Sequence, residues 1–268
     1  MKTAPTLLTA SLALALTLAA GPATAHDSWF ETQPALAEGA GGALLALGTG
    51  NLYPLQETGI DARYLARQGC RAAGQTAAGA APLALKALRN TPTSLLLRAP
   101  KPAATCWVQL TPFDVELAPD KVPVYLQDIQ ATPEIRATWA AMQARGLPWR
   151  ERYTQHARIE LGPPSAGPAP LGLDLRIENA GTSMRGGTNL TAQALRDGQP
   201  LAGLALELRS DSSPLGIWRR TDAQGRISVS APLPGRWLLR GVDLRVSDAD
   251  PERWDSRFVT LAFDVAPN

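Results

Sequence analysis

Histidine and cysteine are scarce in this chain, which has two of each among 268 residues. A nucleophilic Ser-His-Asp or Cys-His group needs a base beside the nucleophile, and the chain has no Gly-x-Ser-x-Gly motif. Neither Cys70 nor Cys106 has a Cys or His close by in sequence, as thiolate metal sites usually do. These absences argue against a hydrolase built on a nucleophile and against a cysteine-based metal centre.

The chain also lacks an excess of charge of one sign. Removing Lys2 with residues 1–25 leaves 25 of the 26 basic residues against 24 acidic ones. Nucleic acids and anionic membranes require a concentrated basic face, so neither is expected as a partner. No apolar run after residue 25 approaches the 18 or more residues of a membrane-spanning helix, and the protein is expected not to be embedded in a membrane.

The first 25 residues have the pattern of a secretory signal peptide. Lys2 supplies the positive start, residues 7–18 are apolar, and Ala23-x-Ala25 is a small-residue cleavage site. Cleavage there makes His26 the new N-terminus. The sequence therefore predicts an exported, periplasmic protein.

Residues 26–119 are predicted to be a first β domain. Short apolar segments separated by Gly and Pro are typical of strands, and three of them are residues 43–47, 94–98 and 106–110. Cys70 and Cys106 lie 36 positions apart in a compartment that permits disulfides. A disulfide is the preferred interpretation, and free thiols are the alternative.

Residues 120–161 are predicted to be a helical connecting segment. Thr132 as N-cap, Pro133 at the first position and Gly146 just past the end predict a helix over residues 133–145. A shorter helix with Val122, Leu126 and Ile129 on one side precedes it. One or two helical turns over residues 149–156 are expected to lead into a strand at 157–161.

Residues 162–268 are predicted to be a second β domain that follows a Pro- and Gly-rich linker. Turn-forming sequences separate seven short apolar segments, a pattern typical of a β-sandwich. The predicted strands are residues 171–177, 188–195, 205–209, 217–221, 226–229, 236–242 and 258–265. The expected fold is mainly β, with two β-sandwich domains and a short helical insertion between them.

Six short segments of the chain occur in the same order as in a known family. They are residues 26–31 (HDSWFE), 150–157 (RERYTQHA), 170–173 (PLGL), 198–203 (GQPLAG), 220–226 (RTDAQGR) and 234–239 (PGRWLL). As an ordered set, they resemble the exported bacterial proteins of domain-of-unknown-function family 4198. That family is related to proposed periplasmic components of cobalt and nickel uptake.

The resemblance implies an Ig-like or transthyretin-like C-terminal domain and a role in periplasmic metal handling. Such proteins often carry a His soon after the Trp-Leu-Leu strand, where this chain has Asp243. The family ligand at that position is therefore at best a carboxylate here, which favours a weaker or harder metal site, or none.

A cleaved N-terminus gives His26 an α-amine beside its imidazole, and the two can chelate one metal ion. With a ring nitrogen of His156 they would form a three-nitrogen site like a histidine brace, which suits copper and also fits nickel. Asp27 is a candidate for orienting His26, and Glu31 is a further oxygen donor. The alternative is that His26 is solvated and His156 is structural.

The predicted function is binding of Ni, Co or Cu for uptake, buffering or delivery to a membrane transporter or another periplasmic protein. No enzymatic activity and no organic cofactor are expected. Two alternatives stay open: a metal-free Ig-like module that docks a protein or a glycan, and a copper-dependent oxidative enzyme. The last would need an open metal face beside a substrate surface.

Overall fold

The computed structural model describes residues 26–34, 41–75, 81–163, 167–179 and 184–268. The predicted signal peptide, residues 1–25, lies outside the described residues. The fold is mainly β with a short helical insertion, as the sequence predicted. Neither helix in this part of the chain is long and apolar enough to cross a membrane.

The described chain forms seventeen strands, two α-helices and a short 3₁₀ turn at Ala62–Tyr64. The helices are α1 (Val122–Asp128) and α2 (Pro133–Ala144). The strands are β1 (Asp27–Gln33), β2 (Leu44–Gly50), β3 (Thr58–Gly59), β4 (Leu65–Ala72), β5 (Lys86–Asn90), β6 (Leu95–Arg98), β7 (Ala103–Leu110), β8 (Phe113–Leu117), β9 (Trp149–Glu160), β10 (Leu173–Ile177), β11 (Asn189–Arg196), β12 (Gln199–Pro200), β13 (Ala205–Ser210), β14 (Ser213–Arg220), β15 (Arg226–Ser230), β16 (Gly235–Val246) and β17 (Trp254–Val265).

Eight of these strands form a central sheet in the order β14-β13-β16-β17-β9-β7-β4, with β8 paired to the first half of β9. A five-stranded sheet, here called the N-sheet, has the order β1-β2-β6-β5 with β3 paired to β2. A four-stranded sheet, here called the C-sheet, contains β10, β11, β12 and β15. β9 and β17 pair in parallel at the middle of the central sheet.

The two smaller sheets cover opposite faces of the central sheet. Ala157, Ile159 and Ala262 of the central sheet share one buried cluster with Phe30 of β1. Val259, Leu261 and Phe263 share another with Leu173 and Leu175 of β10. Successive side chains of a strand point to opposite faces, so even-numbered residues of β9 and odd-numbered residues of β17 face the C-sheet. The molecule is therefore a three-layer β structure.

The two helices lie where the sequence placed them. Thr132 Oγ1 accepts the amide hydrogen of Ile135 at 3.4 Å, and Gly146 has φ +75°, which is the left-handed conformation that ends a helix. Trp139 and Met142 are buried and pack against Trp149, Trp254 and Phe258 of the central sheet. The predicted helix over 133–145 and the shorter helix before it are confirmed.

The prediction for residues 149–156 is wrong. They form the first part of strand β9 rather than helical turns. Trp149 and Glu151 are buried while Arg150 and Arg152 are more exposed, so the segment alternates with the period of a strand. Glu151 and Gln155 are polar residues at buried positions, and they obscure this pattern in the sequence.

The central sheet also crosses the predicted domain boundaries. β9, from the predicted connecting segment, pairs with β7 on one side and with β17 on the other. β7 belongs to residues 26–119 and β17 to residues 162–268. The predicted N-terminal and C-terminal sandwiches therefore share one sheet, in which β9 is the strand between them.

Cys70 and Cys106 form a disulfide and occupy directly opposite positions in the β4–β7 pair. Both are fully buried in the cluster below the N-sheet. The disulfide joins an edge strand of the central sheet to the strand beside it.

Replacing both cysteines in a Cys70→Ala/Cys106→Ala variant should lower the free energy of unfolding by about 3 to 4 kcal/mol, because the unfolded chain is no longer constrained by the loop. Urea unfolding followed by circular dichroism measures this loss. A reductant should destabilise the wild-type protein by a similar amount and leave the variant unchanged. An unaltered unfolding midpoint in the variant would contradict a structural role for the disulfide.

Candidate functional site

His26 lies directly before β1, beside the loop that connects β2 to β3. Its Nε2 is 3.3 Å from Asn51 Nδ2, and its Nδ1 is 3.9 Å from Glu57 Oε2. Asn51 Nδ2 also donates to Glu57 Oε2 at 3.1 Å, so the three side chains form one group. The His26 side chain is 25% exposed. An imidazole and a carboxylate thus lie together at the surface.

The backbone at this end of β1 is held by side chains of the central sheet. Gln155 Nε2 donates to the carbonyl oxygen of His26, and Gln155 Oε1 accepts from Ser28 Oγ. Thr260 Oγ1 donates to the carbonyl oxygen of Ser28 at 2.6 Å. Three polar contacts therefore hold the chain at His26 and Ser28 against the central sheet.

A cavity of about 250 Å³ opens beside His26. One wall is aromatic: the ring centroids of Tyr64 and Phe113 are 5.1 Å apart, and those of Phe113 and Tyr153 are 5.4 Å apart. Gln155 and Asp61 also line it. The cavity combines an apolar wall with hydrogen-bonding groups close to the imidazole.

His156 lies in a different environment, in the middle of β9 and 1% exposed. Its Nδ1 is 2.9 Å from the carbonyl oxygen of Phe258, so this nitrogen carries the proton. Its Nε2 has no hydrogen-bond partner among the described residues. A Cβ atom added at Gly172 would lie 3.2 Å from Nε2 and 3.4 Å from Arg257 Nη1. The Gly172 backbone and the guanidinium of Arg257 thus lie close to Nε2, and the positive charge of Arg257 disfavours a cation there.

The surroundings of His156 lower its pKa from 6.5 to about 4. Burial is the largest cause, because it disfavours the charged imidazolium. The positive charge of Arg257 acts in the same direction, and the hydrogen bond to Phe258 acts against it. His156 is therefore neutral at neutral pH.

The structure does not bring the two histidines together. Gln155 reaches His26 on the N-sheet side of β9, and the next residue, His156, faces the C-sheet. The sheet itself separates the two rings. The fold does not form the three-nitrogen site predicted from the sequence. Gln155 and His156 are neighbours in one strand, so their side chains point to opposite faces of the sheet, and only the face of Gln155 meets His26.

The predicted oxygen ligands are engaged elsewhere. Asp27 Oδ2 is 2.6 Å from Arg240 Nε, and this buried guanidinium also pairs with the buried Glu207 and the more exposed Asp128. Burial raises the pKa of Asp27, and the charge of Arg240 opposes that rise.

Glu31 and Asp243 are likewise paired with arginines. Glu31 Oε2 is 3.3 Å from Arg236 Nη1, five residues along β1 from His26 and so roughly 17 Å away. Asp243 lies between Arg196 and Arg245 and is buried. Neither carboxylate belongs to the surroundings of His26.

Sequence reasoning missed Glu57 and Asn51. They belong to a loop without periodicity or motif, and only the pairing of β2 with β1 and β3 brings that loop to His26. Within the described ranges, no three side chains of His, Cys, Asp or Glu come together as a metal-binding group. Cleavage before His26 would add a donor that is not a side chain, the α-amine of that residue.

Comparisons with known proteins give no relative for this chain: no family model, no curated protein and no solved structure matches it.

The buried His156 should make the protein less stable in mild acid. The unfolded chain takes up a proton below pH 6.5, whereas folded His156 stays neutral down to about pH 4. Its contribution to stability is present above pH 6.5 and is lost as the pH falls to 4, about 3 kcal/mol in all.

A His156→Gln variant, which retains a donor for the Phe258 carbonyl, removes this titration. Chemical unfolding at several pH values between 7 and 4 should show a shallower loss of stability for the variant than for the wild type. Parallel curves would show that His156 is not the responsible group.

Proposed function

We propose that this protein is exported and binds a divalent transition metal through His26 after cleavage behind Ala25. The observation that supports this is the group formed by His26, Glu57 and Asn51 at the start of β1. The α-amine and Nδ1 of His26 would be two donors on one residue. The carboxylate of Glu57, rather than His156, would be the third.

The chemistry of this donor set suits a metal that accepts both nitrogen and oxygen ligands. Imidazole favours Cu²⁺, Ni²⁺ and Zn²⁺, and Cu²⁺ binds most tightly among the first-row divalent ions. An α-amine titrates at roughly 8, so near neutral pH the metal displaces a weakly held proton. Copper and nickel are therefore the preferred ions.

Asn51 would position the two side-chain ligands. Its amide group contacts the His26 ring and the Glu57 carboxylate at once. The atom that contacts Nε2 is the amide nitrogen, which only donates. With Nδ1 as a ligand and the proton on Nε2, the Asn51 amide would rotate so that its oxygen accepts from Nε2. Outer partners of this kind hold ligating imidazoles in one orientation.

The exposure of the site suits exchange of the ion rather than permanent burial. His26 and Glu57 side chains are 25% and 35% exposed. The resemblance to the family related to cobalt and nickel uptake supports the same assignment. The metal would be a cargo that is taken up, buffered or passed to a membrane transporter or another periplasmic protein.

Isothermal titration with Cu²⁺ and Ni²⁺ tests this proposal on protein whose intact mass shows that it begins at His26. One ion per chain is expected. His26→Ala should lose binding because it removes the imidazole. A form with one extra N-terminal glycine should bind differently and more weakly, because the His26 nitrogen becomes a peptide amide and the amine and Nδ1 no longer belong to one residue. Glu57→Gln should weaken binding roughly ten-fold, by loss of one carboxylate ligand.

His156→Gln is the matched control, since it changes the other histidine on the opposite face of the sheet. It should bind metal as the wild type does. Equal affinities for the wild type, the His26→Ala variant and the extended form would refute the terminal site.

The cavity beside His26 favours a second candidate function, copper-dependent oxidation of a small molecule. An oxidative site needs a surface for substrate next to the metal, and the wall of Tyr64, Phe113 and Tyr153 offers one. Copper-loaded protein supplied with ascorbate and hydrogen peroxide should then oxidise a phenolic substrate in repeated turnovers. Activity no greater than that of the His26→Ala variant would leave metal carriage as the function.

A further inference from the structure

A second cavity, of about 230 Å³, lies where β13 begins beside β16. The β13–β16 pairing stops at Leu206 and Gly241, and β16 continues without that neighbour. The turn between α1 and α2 and the turn between β12 and β13 close the gap. Over the residues that the structure describes, this cavity shares no lining residue with the cavity beside His26.

The floor of the cavity is aliphatic. Five of its lining side chains are buried hydrophobic residues of the two adjoining clusters: Ile129, Leu201, Leu204, Val242 and Leu244. Ile135 of α2 completes this surface. A ligand that enters the cavity meets mainly methyl and methylene groups, so its inner part must be apolar.

The rim of the cavity carries a fixed positive charge, the guanidinium of Arg220 at the end of β14. It donates to the carbonyl oxygens of Gly203 at 2.6 Å and of Gln130 at 3.0 Å. These two bonds tie it to both turns that border the opening. Within the described part of the chain Arg220 forms no ion pair with a carboxylate.

The remaining charges at the rim leave an excess of arginine. Among the described residues that line the cavity, Asp243 is the only acidic one, and its carboxylate is shared by Arg196 and Arg245. Glu134, in the first turn of α2, is hydrogen-bonded to Thr132, which is the largest cause of its lowered pKa; the charge of Arg220 also lowers that pKa, but the two side chains form no ion pair. The field at the opening therefore favours an anion.

We infer that this cavity binds a small amphiphilic carboxylate, with its alkyl chain on the aliphatic floor and its carboxylate at Arg220. A guanidinium recognises a carboxylate through charge-assisted hydrogen bonds. Cavities for drug-sized ligands occupy roughly 300 to 1,000 Å³, so this smaller one fits a medium-chain acid. The inference does not depend on metal binding at His26.

Titration calorimetry with sodium octanoate on the metal-free protein tests this inference. Octanoate has ten heavy atoms, and a dissociation constant on the order of 1 mM or tighter is expected for a ligand of that size. The uncharged 1-octanol, of the same chain length, should bind at least about five-fold more weakly because it lacks the carboxylate. His26→Ala should leave octanoate binding unchanged.

Arg220→Gln should weaken octanoate binding at least about five-fold and leave 1-octanol binding unchanged. Arg219→Gln is the matched control: Arg219 is the adjacent residue of β14, is exposed, does not line the cavity, and bonds the carbonyl oxygen of Trp218. It should bind octanoate as the wild type does.

Thermal unfolding of both variants checks that they are folded. Absence of octanoate binding to the wild type at 10 mM, about ten-fold above the expected dissociation constant, would overturn the inference. Equal binding of octanoate and 1-octanol to the wild type, a comparison that needs no variant, would also overturn it. So would equal losses for Arg219→Gln and Arg220→Gln.

Discussion

The parallel pairing of β9 with β17 is the constraint on which the rest of the structure depends. It joins nine residue pairs, from Trp254 opposite Glu151 to Ala262 opposite Ile159. Once the two strands are in register, alternation of side chains assigns every residue of β9 to one layer or the other. The N-sheet and the helices pack on one face and the C-sheet on the opposite face. A one-residue shift in this register would move the side chains that face the N-sheet to the C-sheet side and the reverse, so that neither core could form.

The layers are joined by polar side chains as well as by apolar packing. Arg158 of β9 is fully buried and reaches Asp174 of β10, with Glu160 as its second partner. On the other face Arg240 of β16 holds Asp27 of β1, next to the bonds that Gln155 makes to the same strand. Removing one member of a buried ion pair leaves an uncompensated charge, which costs several kcal/mol. These pairs therefore specify how each outer sheet is placed on the central one.

Much of the fold was predictable because its signals are local. Thr132, Pro133 and Gly146 mark the ends of α2, and turn sequences separate the strands after residue 170. β9 was not recognised because polar residues, Glu151 and Gln155, occupy buried positions of an otherwise regular strand. The candidate site was predictable only in part: His26 follows from the cleavage pattern, whereas Glu57 reaches it through the pairing of strands. Predicting that Gln155 and His156 point in opposite directions requires recognising β9 as a strand. Its neighbour β17 lies about a hundred positions further along the chain, so no local signal indicates their pairing.

The central position of β17 has a consequence for the order in which the molecule is assembled. β17 follows every other strand in the sequence, yet it lies between β16 and β9 and has partners on both sides. As the chain emerges from its N-terminus, β9 presents an unpaired edge until the last strand arrives. Such an edge is a template for pairing with other chains, and parallel pairing between distant segments forms slowly. The interval before β17 is inserted is therefore when this protein is most exposed to aggregation.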